Sequence, residues 1–240
     1  MYKENNDITL QYYNQNAGSF VSGTIHADLT DTLNRFLSRL EPGAAILDFG
    51  CGSGRDTKYF LEHGYQVEAI DGSEELCKIA SAYTGIPVRQ MYFQDLDVRE
   101  QYDGIWACSS ILHLEKTELR SVLKKMADAL RPDGWIYTSF KYGEYEGMRN
   151  GRYFTDFTWN SFQRFIRDTE SLSIAESWVT GDVRPGREEE KMAESAVAEA
   201  IIENGTKTIR VSVKSLFIPC NFNKIPGVFG KISSPAKSDA

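Results

Sequence analysis

The first forty residues of the chain carry a helical pattern. Between residues 7 and 40, apolar side chains recur at spacings of three and four, which places them on one face of a helix. The clearest stripe comprises Leu29, Leu33, Phe36, Leu37 and Leu40. Pro42 and Gly43 then interrupt the pattern, because proline cannot continue a helix and glycine favours turns. Residues 1–40 are therefore predicted to form a helical N-terminal cap.

From residue 44 onward, short apolar runs alternate with amphipathic segments. The apolar runs predict strands at 44–49, 65–71, within 87–96, at 102–111 and at 135–141. The amphipathic segments predict helices at 54–64, 73–85 and 117–131. Strands that alternate with helices at this pitch indicate an α/β fold, in which a doubly wound, mostly parallel sheet carries helices on both faces. Residues 41–187 are predicted to form this core.

Local signals mark the ends of the predicted helices. Ser73 precedes two acidic residues and is expected to cap the N-terminus of its helix. Gly64 and Gly85 are expected to end two helices, since glycine readily adopts the left-handed conformation found there. A further helix is expected to start at Thr158.

The last part of the chain departs from this alternation. Residues 171–186 predict a sixth strand, but the charged run 187–205 that follows is helix-like. Residues 206–219 are rich in β-branched side chains and predict either the seventh strand of the sheet or an appended segment. The final residues, 230–240, are expected to be disordered. Residues 188–240 are therefore treated as an atypical C-terminal segment.

The composition narrows the function classes. The chain has 240 residues, 41% of them hydrophobic and 25% charged, which is typical of a soluble globular protein. Its net charge of −7 argues against a nucleic-acid partner, since nucleic-acid binders usually present a basic face. Four cysteines without C-x-x-C spacing and only three histidines argue against a metal site. No apolar run is long enough to span a membrane, so a cytoplasmic protein is expected, and the oligomeric state stays open.

The stretch ILDFGCGSGRDTKYF, residues 46–60, carries candidate chemistry. It places Asp48, Gly50, Gly52 and Gly54 where the first core strand turns into a helix. Glycine there lets a ligand approach the backbone, and the helix N-terminus offers unpaired N–H groups. A dinucleotide site favours G-x-G-x-x-G, whereas this loop has G-x-G-x-G after an acid that would repel a pyrophosphate and suit an ammonium group. The loop favours a nucleoside that bears an amino acid; the alternative is a tight turn without a ligand.

Two further acids lie at the ends of neighbouring predicted strands. Asp71 ends the second strand, where a carboxylate can accept hydrogen bonds from ribose hydroxyls. Asp95 follows the third strand, in YFQDLD. Because ligands in such sheets bind at the carboxyl ends of the strands, both acids are candidates for the same site.

Five motifs in this order resemble one family. They are ILDFGCGSGRDT, VEAIDGS, YFQDLD, YDGIWACSSILHL and LRPDGWIYTSFK, and the likeness extends over residues 8 to about 187. The chain resembles the class I S-adenosylmethionine-dependent methyltransferases, and within them the small-molecule branch. The resemblance implies a Rossmann-like fold, S-adenosylmethionine as the cofactor and a small-molecule methyl acceptor. The segment YYNQNAGSF, residues 12–20, is similar to the lid that members of the family fold over the cofactor.

The resemblance implies a role for each motif residue on the methionine and ribose side of the cofactor. Asp48 would take the methionine ammonium group, directly or through water. The backbone of Gly50, Cys51 and Gly52 would pass against the methionine part and the ribose. Asp71 would bind the ribose hydroxyls.

Other matched residues would surround the adenine and the transferable methyl group. Gly72 and Ser73 would flank the adenine, Asp95 would accept from its amino group, and Leu96 would pack near the ring. Cys108 would lie near the methyl group.

The remaining implied residues concern the lid and the chemistry. Tyr12 and Tyr13 would close the cofactor from above, although aromatic residues on a first helix also serve as core. Ser109 and His113 would lie at the end of the fourth strand, near the methyl group. Methyl transfer is an in-line displacement that depends mainly on positioning, so His113 is a candidate general base only if the acceptor must lose a proton. The alternative for His113 is a structural role.

The acceptor site is expected in the insertion after the fifth strand, residues 142–162. This segment contains four candidate substrate residues: Tyr142, Arg149, Arg152 and Tyr153. Paired guanidinium and aromatic groups could grip an anionic or planar acceptor. The alternative is a solvated loop that leads into the next helix.

Two other functions compete with methyl transfer. The first is a non-catalytic module that binds S-adenosylmethionine, an alternative that the unusual C-terminal segment keeps open. The second is a nicotinamide-dependent oxidoreductase, which the loop disfavours because it lacks G-x-G-x-x-G. Release of S-adenosylhomocysteine would separate an enzyme from a binding module.

Overall fold

The computed structural model describes residues 2–169, 172–181 and 197–204. Its strands are β1 (Ala45–Phe49), β2 (Gln66–Asp71), β3 (Val88–Gln90), β4 (Tyr102–Ala107), β5 (Leu130–Lys141), β6 (Glu146–Arg149), β7 (Arg152–Thr155), β8 (Leu172–Thr180) and β9 (Val197–Asn204). Within the described residues, β6 and β7 form a hairpin. The other strands form one sheet in the order β3-β2-β1-β4-β5-β9-β8.

The first five strands of the sheet run parallel, as predicted. β1 lies between β2 and β4, and its register places Asp48 beside Ala69 on one side and Trp106 on the other. Only β9 runs antiparallel among the described sheet strands, pairing with β5 and β8. The carboxyl ends of β1 to β5 therefore meet at one edge of the sheet, where ligands bind in doubly wound folds.

Helices cover both faces of the sheet. The α-helices of the described residues are α1 (Tyr2–Thr24), α2 (Thr30–Leu37), α3 (Arg55–Glu62), α4 (Glu74–Thr84), α5 (Lys116–Ala129) and α6 (Trp159–Arg167). The predicted cap at Ser73 is confirmed, because its side chain accepts from a backbone N–H of α4. The helix expected to start at Thr158 is α6, and the Thr158 side chain accepts from a backbone N–H of its first turn. Gly64 and Gly85 follow α3 and α4 with φ of 84° and 80°.

The two faces of the sheet bury separate apolar clusters. One face packs against α5 through an apolar stripe that comprises Leu119, Val122, Leu123 and Met126. The other face packs against α2, where Phe36 lies over the ring of Trp106 with 5.3 Å between centroids. Trp106 in turn stacks on Tyr137 of β5 at 3.9 Å. These buried aromatic residues hold β1, β4 and β5 in the register that forms the upper edge of the sheet.

The N-terminal helical pattern is broken where the sequence predicts continuity. Residues 25–29 separate α1 from α2, and the Asp28 carboxylate accepts from the Thr30 N–H at 2.9 Å. Such a local side-chain bond competes with the helical ladder and starts a new helix. α1 itself bends at Asn16, whose φ of −115° and ψ of 16° are not helical.

The C-terminal prediction is partly wrong. Residues 197–204 lie in the run expected to be helical, yet they form β9 between β5 and β8. Ile202 of this strand is fully buried beside Ile136. Burial between two strands overrides the helical propensity of an Ala- and Glu-rich segment. β9 thus lies in the sheet between β5 and β8. The predictions for residues 206–219 and 230–240 lie outside the described residues.

The insertion after β5 is a hairpin and not the solvated loop that the sequence left open. β6 and β7 pair antiparallel, with Arg149 opposite Arg152. Phe154 and Phe157 of this region are buried in the α5 cluster. Among the described helices, none combines the length and the apolarity that crossing a bilayer requires.

Candidate active site

A cavity of about 1020 Å³ lies at the carboxyl ends of the parallel strands. The loops after β1, β2, β3 and β4 form its floor, and side chains of α1 form its roof. The β6–β7 hairpin closes one end through Arg149, Arg152 and Phe154. The sequence-predicted sites of the loop, the lid and the insertion therefore share one cavity.

The glycine loop presents its backbone to this cavity. Gly50 has φ of 92° and Gly52 has φ of 56°, a region that residues with a Cβ rarely adopt. The N–H groups of Gly50 and Cys51 both donate to the carbonyl of Ile70, at 3.0 and 2.9 Å. A Cβ on Gly50 would overlap the side chain of Ser110. The loop is thus held tightly to β2 and leaves no room for a side chain at its first glycine.

Asp71 joins the glycine loop to the start of α4. Its carboxylate accepts from the Gly52 N–H at 2.9 Å and from the Ser73 N–H at 2.8 Å. Burial raises the pKa of this carboxyl, while the N–H groups that it accepts from lower it. A carboxylate offers about four lone-pair sites, so Asp71 retains acceptor capacity toward the cavity that it lines.

Asp48 lies beneath the loop and does not line the cavity. Its carboxylate is buried and accepts from the Thr57 hydroxyl at 2.5 Å. Burial, reinforced by the neighbouring charge of Asp56, raises the pKa of Asp48. Asp56, unlike Asp48, lines the cavity, and it accepts from Arg55 and from the Trp106 indole N–H at 2.9 Å.

A chain of polar contacts crosses the roof of the cavity at His113. Its Nδ1 lies 2.6 Å from the carbonyl oxygen of Tyr153, which can only accept, so Nδ1 carries the proton. Nε2 therefore accepts from the Tyr13 hydroxyl at 2.8 Å. Arg152 donates from Nη1 to the same hydroxyl at 3.3 Å. Burial lowers the pKa of His113 to about 3, and it raises the pKa of Tyr13.

The buried histidine predicts an acid-sensitive stability. Between its unfolded pKa of about 6.5 and its folded pKa of about 3, the unfolded chain binds a proton that folded His113 refuses. Neutral, buried His113 therefore leaves the free energy of unfolding undiminished above about pH 6.5. As the pH falls below that value, protonation of the unfolded chain lowers the free energy of unfolding. We expect wild type to lose about 2 kcal/mol more unfolding free energy than His113→Gln between pH 7 and pH 5. Urea unfolding at both pH values measures this difference, and parallel pH dependences would contradict it.

The structure brings most of the predicted site residues to the cavity. Those that line it are Tyr13, Gly50, Cys51, Gly52, Asp71, Gly72, Cys108, Ser109, His113, Tyr142, Arg149 and Arg152. The remaining predicted site residues are Tyr12, Asp48, Ser73, Asp95, Leu96 and Tyr153, and these do not line it. The contacts of these six residues explain why they lie outside the cavity.

Several of these residues support the cavity from outside. Ser73 caps α4, and its hydroxyl donates to Asn14 of α1 at 2.7 Å. Tyr153 contributes its backbone, which accepts from His113 and donates to the Thr9 hydroxyl. The ring of Tyr12 lies against the guanidinium of Arg152 at 4.5 Å.

The loop after β3 differs most from the expectation. Asp95 is exposed and Leu96 is buried in the α5 cluster, so neither faces the cavity. The chain makes a short helical turn at Phe93–Asp95, and the residues before Asp95, Met91 to Gln94, line the cavity instead. The sequence signal for these lining residues was the aromatic pair Tyr92–Phe93 shortly after the strand. The sequence analysis missed it because the motif YFQDLD was interpreted through Asp95. Phe20, which lies over Gly52, was likewise missed although it belongs to the predicted lid segment.

The two arginines of the hairpin differ in their partners. Arg149 pairs in a bidentate manner with Asp156, with both N–O distances at 3.0 Å. Arg152 has no carboxylate partner among the described residues, and its Nε is buried without a hydrogen bond. Tyr142 lies at the exposed rim of the cavity.

Comparison with known families identifies the central part of the chain. Residues 46–134 match the model of the family described as a methyltransferase domain. The chain is 31% identical over 123 residues to a ubiquinone biosynthesis O-methyltransferase of Xanthomonas axonopodis, which covers 48% of this chain and 51% of that protein. It is 26% identical over 110 residues to an uncharacterized methyltransferase of Staphylococcus carnosus, with 46% and 52% covered. The chain thus spans about half the length of these curated relatives.

A solved structure shares the fold. It is a 1,6-didemethyltoxoflavin N1-methyltransferase of Burkholderia thailandensis, with its substrate and S-adenosylhomocysteine bound. The two chains superpose with a TM-score of 0.69 at 21% identity, over 85% of this chain and 90% of that one. Residues 46–134 thus match a methyltransferase domain, and the chain has the fold of this solved methyltransferase.

Proposed function

We propose that this protein is an enzyme that transfers a methyl group from S-adenosylmethionine to a small-molecule acceptor by in-line displacement. The observation that carries the proposal is the link between the glycine loop and Asp71 at the floor of the cavity. Gly52 donates to the Asp71 carboxylate, so the backbone that would border the cofactor and the acid that would bind its ribose form one unit. The known relatives are named methyltransferases, which supports the same function.

The residues present suit this cofactor. The glycine loop lines the cavity with the backbone of Gly50, Cys51 and Gly52, and no side chain fits at Gly50 because Ser110 and Phe93 lie against it. We propose that Gly50, Cys51 and Gly52 border the methionine and ribose parts, with Asp48 acting from beneath the loop. Asp71 would accept from the ribose hydroxyls.

The adenine subsite follows from the loop geometry. We propose that the adenine lies between Gly72 and the segment Tyr92–Gln94, in place of Asp95. Phe93 offers an aromatic face, and the side-chain amide of Gln94 offers both a donor and an acceptor. The side-chain amide of Gln94 donates to the Glu118 carboxylate at 3.1 Å. The Lys125 ammonium donates to the backbone carbonyl of Gln94 at 2.7 Å.

The cap formed by residues 1–40 would exclude water and position the reactants. S-adenosylmethionine, when bound, supplies the electrophilic methyl group. Tyr13 and Phe20 of α1 face the floor, with 5.2 Å between their ring centroids. His113 is neutral, and its Nε2 already accepts from Tyr13, so we propose that it positions the Tyr13 hydroxyl and is not a free general base. Positioning of this kind is the main requirement of the reaction.

A small acceptor suits a cavity that α1 and the β6–β7 hairpin partly cover. The Tyr13–His113 hydrogen bond joins α1 to the loop after β4, and the Thr9–Tyr153 hydrogen bond joins α1 to the hairpin. A polymer would require these contacts to open. We therefore propose a small molecule that fits beside Cys108 and Ser109.

Calorimetric titration tests the cofactor assignment. We expect S-adenosylmethionine and S-adenosylhomocysteine to bind with micromolar dissociation constants, which correspond to binding free energies of about −8 kcal/mol. We expect NAD not to bind. Binding of NAD alone, or of none of the three, would contradict the proposal. Release of S-adenosylhomocysteine during an acceptor screen then distinguishes an enzyme from a non-catalytic binding module.

A further inference from the structure

Three arginines line the cavity, and they differ in whether a carboxylate pairs with them. Arg55 pairs with Asp56 at 2.6 Å, and Arg149 pairs with Asp156 at 3.0 Å. Arg152 lies on the same hairpin as Arg149, but it has no ion pair among the described residues. Its guanidinium therefore brings a positive charge into the cavity that no described carboxylate neutralises through an ion pair.

Aromatic rings and one hydroxyl surround the Arg152 guanidinium. The centroids of Tyr12, Phe154 and Tyr13 lie 4.5, 5.2 and 5.6 Å from its central carbon. Nη1 donates to the Tyr13 hydroxyl, while Nε, which is buried, makes no hydrogen bond. Ring faces stabilise a cation, but they cannot accept N–H groups as a carboxylate does.

The nearby acids are already engaged. Asp156 holds Arg149 through both oxygens, and Glu146 of the same hairpin pairs with Lys116 at 3.0 Å. Nε has almost no accessible surface, so it is not the donor that a molecule in the cavity would reach. Nη1 uses one N–H on Tyr13, and the other N–H groups of the two terminal nitrogens have no hydrogen-bond partner among the described residues. The geometry thus leaves the terminal N–H donors of Arg152 for a molecule inside the cavity.

The position of Arg152 relates this donor to the reaction site. Its contact with the Tyr13 hydroxyl places it one hydrogen bond away from Tyr13 and two from His113. Asp71, the proposed ribose ligand, accepts from a different part of the cavity, the glycine loop. A group bound to Arg152 would therefore lie on the hairpin side of the Tyr13 hydroxyl.

We propose that Arg152 is the specificity-determining residue of the acceptor site and selects a small acceptor that carries a carboxylate. This inference rests on the proposed methyltransferase function and extends it to the class of acceptor. A carboxylate fits because the planar guanidinium presents parallel N–H donors to two oxygens. One unneutralised guanidinium matches a single negative charge, whereas a phosphate dianion carries two.

Paired probes test the carboxylate preference directly. Protein loaded with S-adenosylhomocysteine is titrated calorimetrically with 3,4-dihydroxybenzoate, 2-aminobenzoate and 3-hydroxybutanoate, each beside its neutral primary amide. We expect at least one acid to bind about tenfold or more tightly than its amide in wild type, because a charged hydrogen-bonded pair contributes that much. Arg152→Gln is expected to abolish the preference, and Arg152→Lys to retain part of it.

A matched control and three possible outcomes make the test decisive. Arg120→Gln removes an exposed guanidinium of α5 outside the cavity, so the acid preference should persist in that variant. Amides that bind as well as acids, acids that fail to bind up to about 10 mM, or a preference that survives Arg152→Gln would overturn the inference.

Cofactor affinity separates this inference from its main competitor. If Arg152 held the carboxylate of the cofactor, Arg152→Gln would weaken S-adenosylhomocysteine about tenfold and leave 5′-methylthioadenosine unchanged, which would also overturn the inference. Failure of wild type to bind S-adenosylhomocysteine at all would instead refute the proposed function. Normal cofactor binding without any carboxylate preference would refute only the role of Arg152.

Discussion

Replacement of Asp71 by alanine is expected to weaken S-adenosylmethionine binding by a hundredfold or more. The carboxylate holds the Gly52 and Ser73 N–H groups at 2.9 and 2.8 Å, and it is the proposed acceptor for the ribose hydroxyls. Each hydrogen bond to a charged group contributes about 1.5–3 kcal/mol, so two ribose contacts correspond to at least a hundredfold in affinity. Calorimetric titration of the purified variant measures the loss.

Two further variants separate the ribose contact from loop disorder. Asp71→Asn keeps the shape but has a single acceptor oxygen, so one backbone N–H loses its partner and an intermediate loss of affinity is expected. Asp128→Asn removes an exposed carboxylate on α5 and should bind the cofactor like wild type. Cofactor binding by Asp71→Ala within threefold of wild type would show that Asp71 serves the turn alone.

Replacement of Gly50 by alanine is expected to abolish cofactor binding and to lower the free energy of unfolding by about 2–5 kcal/mol. Strain at a φ of 92° contributes about 1–3 kcal/mol, and the overlap of the new Cβ with Ser110 adds a similar amount. Ser110 cannot move aside without cost, because its hydroxyl donates to the Phe49 carbonyl at 2.6 Å. Denaturant unfolding and titration of the same sample measure both effects.

Gly64→Ala is the matched control for Gly50→Ala. Gly64 has a similar φ of 84°, but nothing lies within 4 Å of the position where its Cβ would be. It should therefore show the strain alone, a smaller destabilisation, and normal cofactor binding. The double change Gly50→Ala with Ser110→Gly should recover part of the stability. Equal destabilisation by Gly50→Ala and Gly64→Ala would show that the Ser110 contact has no effect.

The parallel strands and the glycine loop between β1 and α3 could be predicted because their signals are local. The turn from β1 to α3 requires glycine at Gly50 and Gly52, and the apolar run that precedes it can only be buried. Ser73 and Gly85 mark the ends of α4 through backbone preferences that depend on neighbouring residues alone. The same locality explains why the acid at the end of β2, Asp71, was found.

Predictions failed where distant contacts outweigh local preference. The segment 197–204 has a helix-like composition, but pairing with β5 and β8 makes it a strand. The motif around Asp95 pointed to an adenine contact, yet a helical turn anchored by Lys125 of α5 presents Tyr92 to Gln94 instead. The strands that pair with residues 197–204, and the Lys125 side chain that anchors the turn, are distant in sequence from the segments they shape. A local sequence pattern therefore does not indicate these contacts.

The sequence by itself determined the α/β class, the order of the first five strands along the chain, and the position of the glycine loop and Asp71. These follow from periodicity and backbone chemistry, which act over a few residues. The tertiary structure decided which side chains meet: the Tyr13 hydroxyl donates to Nε2 of His113, and Asp156 pairs with Arg149. Arg152, by contrast, has no carboxylate partner among the described residues and lies against Tyr12. Tyr13 and His113 are 100 positions apart, and only the packing of α1 over the sheet brings them within 2.8 Å.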